Sequence, residues 1–372
     1  MTDGGVPSSH LRGSVIVVVL VTLLFAALLL TRLIETSSTD LLIAMRVADR
    51  DRLRADAHGA METVLAVLMD FRTVDGGLYA PVQGWEDPFG YAGYEPRERV
   101  TVAVAFEDES AKLSLPRLNL DTLNTLLVQL GLAVPDAARV ADAMFVWMRS
   151  GHLAAESATS ATVYERADPP AKPPYRSLRS FDELAGIAVA KDFFYDADGR
   201  PTPLFEAFKG AVSLYQFNAT NLNSAPAPVL AATGWDPTQT STLQKYLTSP
   251  VSATKTRPYI RSLQEARRQV GNVAGRNLGA QIQILRITVT AREGAAQLKL
   301  SALVTWAGQA SLPASLAANP GGATAATGQR ATAPAAQPSA AAANSLRYPF
   351  TVLEISENSL PDPTPPPDAP AA

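Results

Sequence analysis

After Arg12 the next charged residue is Arg32, and the stretch between them is aliphatic. It runs Gly13, Ser14 and then Val-Ile-Val-Val-Val-Leu-Val-Thr-Leu-Leu-Phe-Ala-Ala-Leu-Leu-Leu-Thr, and Leu33 and Ile34 extend it. At about 1.5 Å of rise per residue, such a helix crosses most of a bilayer core about 30 Å thick. The spacing therefore predicts a transmembrane helix over residues 14–34, preceded by a short polar leader, residues 1–13. A secretory signal peptide has a shorter apolar core followed by a small-x-small site. Here the nearest small pair, Ala26-Ala27, lies inside the apolar run. A plain signal anchor remains a rival reading on these residues. Charge on the two sides orients the helix weakly, and an N-terminus inside is the simpler choice for one span.

Helical spacing continues past the span. Leu41, Leu42, Met45, Val47, Ala48, Leu53, Ala57, Ala60, Val64, Leu65, Leu68 and Phe71 form a stripe, with charges of alternating sign between them. Those charges are expected to lie on a solvated face and to pair at i,i+4. One helix from Ser14 to Arg72 is about 88 Å long, half in lipid and half on a globular core. Asp75-Gly76-Gly77 ends it, with Gly where positive φ is wanted.

The remaining residues suffice for two modest cores. Net charge is −3, so no basic surface points to nucleic acid. There is no Cys, which removes disulfides, thiol catalysis and Cys-held metals. His10, His58 and His152 stand apart in sequence, a poor basis for a metal site or a Ser-His-Asp triad.

Residues 79–98 read as a loop rich in Gly, Pro and aromatics. Val100, Val102, Val104 and Phe106 alternate with small residues as in a strand, and Lys112–Leu115 reads as its returning partner after a turn at Asp108-Glu109-Ser110. The pattern is then helical, with candidates at Leu123–Leu132, Asp136–Arg149, Ser180–Val189, Thr240–Leu247 and Ser262–Val270. Ser180 and Glu183 have capping-box spacing. Strands return over 282–291 and 297–306, joined by a tight turn at Arg292–Ala296, and a last strand over 348–355, where Pro349 suits an edge. Residues 307–345 are too poor in large apolar side chains to pack and are expected to be a disordered loop, as is the Pro-rich tail, 358–372.

The expected fold class is α+β. A long N-terminal helix packs on an antiparallel sheet built from 35–115, 280–306 and 346–357, and residues 116–279 form an inserted all-α domain. Two segments of the insertion begin alike: Asn119-Leu120-Asp121-Thr122 and Asn221-Leu222-Asn223-Ser224. In each, a small polar residue is placed to cap a helix, and Pro226 suits a first turn. Neither has the double Gly or the basic neighbours of a phosphate-gripping helical hairpin, so DNA is not an expected partner. Asp192 with Asp196, Asp198 and Gly199 is an acidic cluster of the oxygen type that calcium takes, but the EF-hand spacing fails at Phe194 and Phe205. An acidic turn is the plainer reading, and no cofactor is expected.

These segments resemble the minor pseudopilin K family of the type II secretion system. Asp108-Glu109-Ser110-Ala111-Lys112-Leu113 is similar to that family's D-E-S-G-K-I/L hairpin. Pro174-Tyr175-Arg176 through Ser180-Phe181-Asp182-Glu183-Leu184 resembles its P-Y-R…S-L-D-E-L stretch, and Asn221–Pro226 its N-I/L-N-T-A-P. The leader before the apolar helix resembles a prepilin peptidase site, with cleavage between Gly13 and Ser14. Pseudopilins usually carry Glu at the fifth mature position; here it is Val18, and the K member is the one that lacks it. The resemblance implies a non-enzymatic subunit held in the bacterial inner membrane, its soluble part in the periplasm. It implies a place at the pseudopilus tip with the other minor pseudopilins, after processing by prepilin peptidase. A signal-anchored periplasmic enzyme, or another type IV pilin-like minor subunit, is the alternative.

Overall fold

The computed structural model describes residues 11–249, 258–271, 277–306, 310–311 and 350–358. The leader up to residue 10, most of the Ala/Pro-rich stretch and the tail from residue 359 lie outside them. In chain order the elements are α1 (Leu11–Asp75), α2 (Pro88–Ala92), β1 (Val100–Asp108), β2 (Leu113–Ser114), α3 (Leu120–Gln129), α4 (Val134–Met148), α5 (Thr162–Glu165), α6 (Lys191–Phe194), α7 (Pro203–Ala211), β3 (Val212–Ser213), β4 (Gln216–Phe217), β5 (Thr220–Asn221), α8 (Ala227–Ala232), α9 (Pro237–Thr248), α10 (Leu263–Val270), β6 (Leu278–Gly279), β7 (Ile284–Glu293), β8 (Ala296–Thr305), β9 (Ala310–Ser311) and β10 (Thr351–Asn358).

Helix α1 is a single helix of 65 residues, about 97 Å long at the standard rise. Gly76 follows it at φ 72°, the left-handed stop that a Gly after a helix supplies. Every side chain from Ile16 to Arg52 is exposed. Burial begins at Leu53 and continues through Ala57, Ala60, Met61, Val64, Val67 and Leu68. The apolar stripe expected from Leu41 onward thus meets the core only in its second part; Leu41, Leu42, Met45 and Val47 stay exposed.

The buried face of α1 lies on an antiparallel sheet of four strands in the order β1-β7-β8-β10. Alternation explains which side of each strand faces the helix. Leu298, Leu300, Ala302 and Val304 of β8, Trp306 just after it, and Ile287, Val289 and Ala291 of β7 share a core with α1 and with Trp85 and Leu78. The turn between β7 and β8 is tight, with Gly294 at φ 59°, as a two-residue hairpin asks of its first central residue. The charges of α1 do not pair at i,i+4 as expected. Arg52 meets Asp49 at i,i+3, while Arg54 and His58 reach Glu357 of β10, and Asp56 reaches Arg97 just before β1.

Two expectations change. Lys112–Leu115 is not a hairpin partner of β1. β1 pairs with β7 across the whole insertion, and Leu113-Ser114 pairs in parallel with Val212-Ser213. Its apolar side chains, Leu113 and Leu115, are wanted in the core of the insertion, which draws the chain out of the sheet. The inserted block is also not wholly α, and it runs from Glu109 to about Gln283. Strand pairs of two residues stitch it: β2 with β3, β5 with β6, and β4 with β9. The last pair places Ala310-Ser311 of the expected loop against Gln216-Phe217. Of the helix candidates, 180–189 is a 3-10 turn at Phe181–Gly186; α5 and α6, four residues each, are too short to show apolar spacing, and α7 was not among the candidates. A short helix, Pro88–Ala92, also interrupts the expected loop over 79–98.

The insertion has two cores. One gathers α3, α4, α6 and α7 around Leu126, Met144, Leu184, Phe194 and Phe208. The other gathers α8, α9 and α10 around Leu230, Trp235, Leu243 and Ile260, and takes in Tyr79 from the segment after α1. Phe217 and Tyr215 cover the outer face of the sheet at Ile284, Leu303 and Leu353, so one end of the sheet is buried on both faces.

Candidate functional site

The candidate site is the joint between the sheet and the insertion. Four passes of the chain meet there: Leu78-Tyr79 after α1, Asp108–Lys112 after β1, residues 218–223, and residues 280–284. Three-residue 3-10 geometry over Glu109–Ala111 turns β1 away from the sheet, and Asp108 caps that turn by accepting from the backbone N–H of Ser110. The hydroxyl of Ser110 also donates to Asp108. It accepts in turn from Gln283 N at 2.9 Å, at the far end of the insertion.

Asn221 is fully buried and holds the other side. Its Nδ2 donates to Asp108 Oδ2 at 2.7 Å and to Tyr79 O at 2.9 Å. Its Oδ1 accepts from Asn223 N at 3.1 Å. Asn223 then reads two backbones, donating to Ala280 O at 2.9 Å and accepting from Ile260 N at 2.7 Å. Gln283 bridges further, accepting from Asn218 N and donating to Ala219 O, both at 2.9 Å. Burial pushes the Asp108 carboxyl up to about 6, against the hydrogen bonds from Ser110, Asn221 and Ser224 that favour its charged form.

Beside this polar knot runs a line of charges. Lys112, buried to 8 % exposure, donates to Glu107 Oε1 at 2.6 Å and Glu109 Oε1 at 3.2 Å. Arg286 of β7 meets Glu109 at 3.4 Å and Glu354 of β10 at 3.8 Å. Tyr215 of the insertion donates to Glu354, and burial first, then that carboxylate, pushes its hydroxyl well above the usual range. Acids and bases alternate, so the line is close to neutral. It floors a cleft of about 750 Å³ between the outer sheet face and the insertion.

Two of the three family-like soluble segments therefore meet. The segment beginning at Asp108 and the one beginning at Asn221 form opposite halves of one joint. The third, near Arg176, is a clamp inside the insertion: Arg176 Nη1 donates to both carboxylate oxygens of Glu183 at 3.1 Å, and Arg179 N donates to Glu183 at 2.9 Å. Glu183 is thus turned away from Ser180, whose hydroxyl accepts from Asp182 N, and the reciprocal box expected from the spacing does not form. The two similar segments of the insertion also part company. Asn119 caps α3 by accepting from Thr122 N, whereas α8 begins only after Pro226 and has no side-chain cap.

Asp142 accepts from His152 at 2.7 Å, from Ala155 N at 2.9 Å and from Thr159. Burial opposes its charge, but those hydrogen bonds win and hold the carboxyl below its usual range. The cluster ties the loop after α4 to the helix. In the acidic cluster, Asp196 Oδ1 accepts from Asp198 N and Arg200 N, which makes it a local turn. Among the described residues no three His, Cys, Asp or Glu side chains gather as ligands.

Gly13 and Ser14 lie within the first turn of α1, and Val18 is exposed on it. The joint was harder to foresee. Its members are ordinary polar residues far apart in sequence; Asp108, Ser110, Asn221 and Asn223 were signalled by two family-like segments, and Gln283 by nothing.

No family model matches the chain, and no curated protein matches it in sequence. Among solved structures, it is similar to a chain of the GspK-GspI-GspJ complex from the type 2 secretion system of enterotoxigenic Escherichia coli. The identity is 13%, the TM-score 0.47, and the match covers 72% of this chain and 97% of that one.

Proposed function

We propose that the chain is a minor pseudopilin of the K type, a non-enzymatic assembly subunit of a type II protein secretion system. Residues 14–34 anchor it in the bacterial inner membrane, the soluble part stands in the periplasm, and the mature protein sits at the pseudopilus tip with other minor pseudopilins. The observation that carries this reading is the single helix α1, bare from Ile16 to Arg52 and packed on an antiparallel sheet only from Leu53 onward. A helix with that division is built to be shared: its apolar first half needs lipid or neighbouring helices, because its own domain never covers it. The meeting of the two family-like segments at the joint supports the same reading.

Prepilin peptidase is the proposed processing enzyme, acting between Gly13 and Ser14. Gly has the weakest hold on a helix among residues other than Pro, which lets that turn open for cleavage. Val18 then leaves no carboxylate in search of a partner further along a filament. The insertion between β1 and β7 crowds the side on which another subunit would stack. Both features suit the first position.

N-terminal sequencing of the protein purified from membranes is expected to begin at Ser14, and Gly13→Leu is expected to leave the precursor uncut. A start near Ala26, or an intact Met1, overturns the proposal. Val18→Glu places an unpaired carboxylate among apolar helices, a cost of several kcal/mol. It is expected to abolish secretion in a complementation assay while leaving processing intact.

A further inference from the structure

The sheet ends in two strands, and its two edges are finished differently. In β10 the register slips between Val352 and Glu354, a bulge, and the strand carries Glu354 and Glu357. Bulges and charges are the devices by which native edges resist pairing with another chain. β1 has neither. From Val100 to Phe106 it is uncharged and free of Pro and Gly, and it stays in unbroken register with β7 from Val100 to Asp108. Thr101, Ala103 and Ala105 are exposed, and they are small. On the helix side Val102, Val104 and Phe106 are only half-buried, although they touch the core beside Phe89 and Tyr94. A further strand there would complete their burial and satisfy the outward row of main-chain groups.

We propose that the β1 edge receives an extended segment of a different protein as a fifth, antiparallel strand. The charges that bracket the edge select the segment. Arg99 is exposed and has no partner among the described residues at one end. Glu107 at the other end is half-exposed although it pairs with Lys112. An antiparallel segment complements both when it reads basic, seven uncharged residues with alternate apolar side chains, then acidic. β1 itself has this pattern, from Arg99 to Glu107. A second copy is nevertheless the wrong occupant. Continuing the sheet from β1 to β1 sets a two-fold axis perpendicular to the sheet, which reverses the direction of α1. Two chains anchored through α1 in one membrane cannot meet that way; this exclusion rests on the anchored reading of α1.

The test uses the full-length chain in detergent micelles and a fluorescein-labelled peptide copied from residues 97–109. Fluorescence anisotropy is expected to show saturable binding, with at least a tenfold loss when alternate peptide nitrogens are methylated. Arg99→Glu in the protein is expected to weaken binding severalfold with an unchanged melting temperature. Reversing the facing Glu of the peptide to Lys is expected to restore it. Light scattering is expected to show one chain per micelle. Absence of saturable binding, or indifference to N-methylation, overturns the proposal. A dimer that Arg99→Glu dissolves makes a second copy the occupant and overturns it in another way. The anchored reading fails separately, by N-terminal sequencing.

Discussion

At Asn119 the side-chain oxygen accepts from Thr122 N and starts a helix. At Asn221, in a segment of nearly the same sequence, the amide instead donates to Asp108 and Tyr79 and accepts from Asn223. The first is solved locally, within four residues. The second takes Asn223 from close by, but both acceptors of its amide, Asp108 and Tyr79, lie more than a hundred positions away. The residues after each Asn decide between them. After Leu120 the chain continues as Asp-Thr-Leu-Asn-Thr-Leu-Leu, which can be helical at once. After Leu222 it must pass Pro226 before a helix can begin, so Asn221 stays extended, in β5, and its side chain is free to face the joint. A cap belongs to its own helix. A joint residue belongs to the relation between two domains.

The largest expected effect tests the joint. Asn221→Ala leaves Asp108 Oδ2 and the carbonyl of Tyr79 without the donor that Asn221 supplies, and it takes the acceptor from the Asn223 N–H. The expected loss is about 3 kcal/mol, because buried groups stripped of a partner lose their full desolvation cost. It should also loosen the insertion relative to the sheet. Limited proteolysis is then expected to cut between Ala111 and Pro116 in the variant but not in the parent. Equal stability and equal protection would make the joint a bystander.

A second effect should follow from Asp108. Its folded value of about 6 lies above the ordinary value of 3.8. The proton is therefore held more tightly in the folded state, and the stability it contributes is full below pH 4. That contribution fades as pH rises through 6. The difference converts to about 2–3 kcal/mol. Thermal unfolding followed from pH 4 to pH 7 is expected to fall with rising pH in the parent, over and above its other titrations. Asp108→Asn is expected to flatten that slope, and an unchanged slope would show that the hydrogen bonds, not burial, set this carboxyl.

Much of this architecture was legible because its signals are periodic. Alternation placed β1, β7, β8 and β10 in one sheet, and the long apolar run with its helical continuation placed α1. The hairpin partner of β1 was misread because Lys112–Leu115 comes after a turn at the usual distance. Only the tertiary demand for Leu113 and Leu115 in another core moves them out of the sheet. Charges on α1 were read as solvated for the same reason: Asp56 with Arg97, and Arg54 with Glu357, are pairs across elements that no local spacing announces. The joint was legible only as resemblance, since Asp108, Ser110, Asn221 and Gln283 form no pattern until the fold joins them.

The smallest effect belongs to the local member of the comparison. Asn119→Ala removes one accepted hydrogen bond at the start of α3, leaving the Thr122 N–H to water. A lost cap of this kind is worth about 1 kcal/mol. The penalty should be recovered in large part by Asn119→Asp or Asn119→Ser, because either side chain supplies the same acceptor at the same place. Neither substitution is expected to rescue position 221, where the amide must donate as well as accept: Asn221→Asp would set a second carboxylate against Asp108 and is expected to be worse than Asn221→Ala at pH 7. Chemical unfolding of these variants gives the comparison directly. If Asp is accepted equally at 119 and 221, the two segments do the same work and the contrast between cap and joint falls.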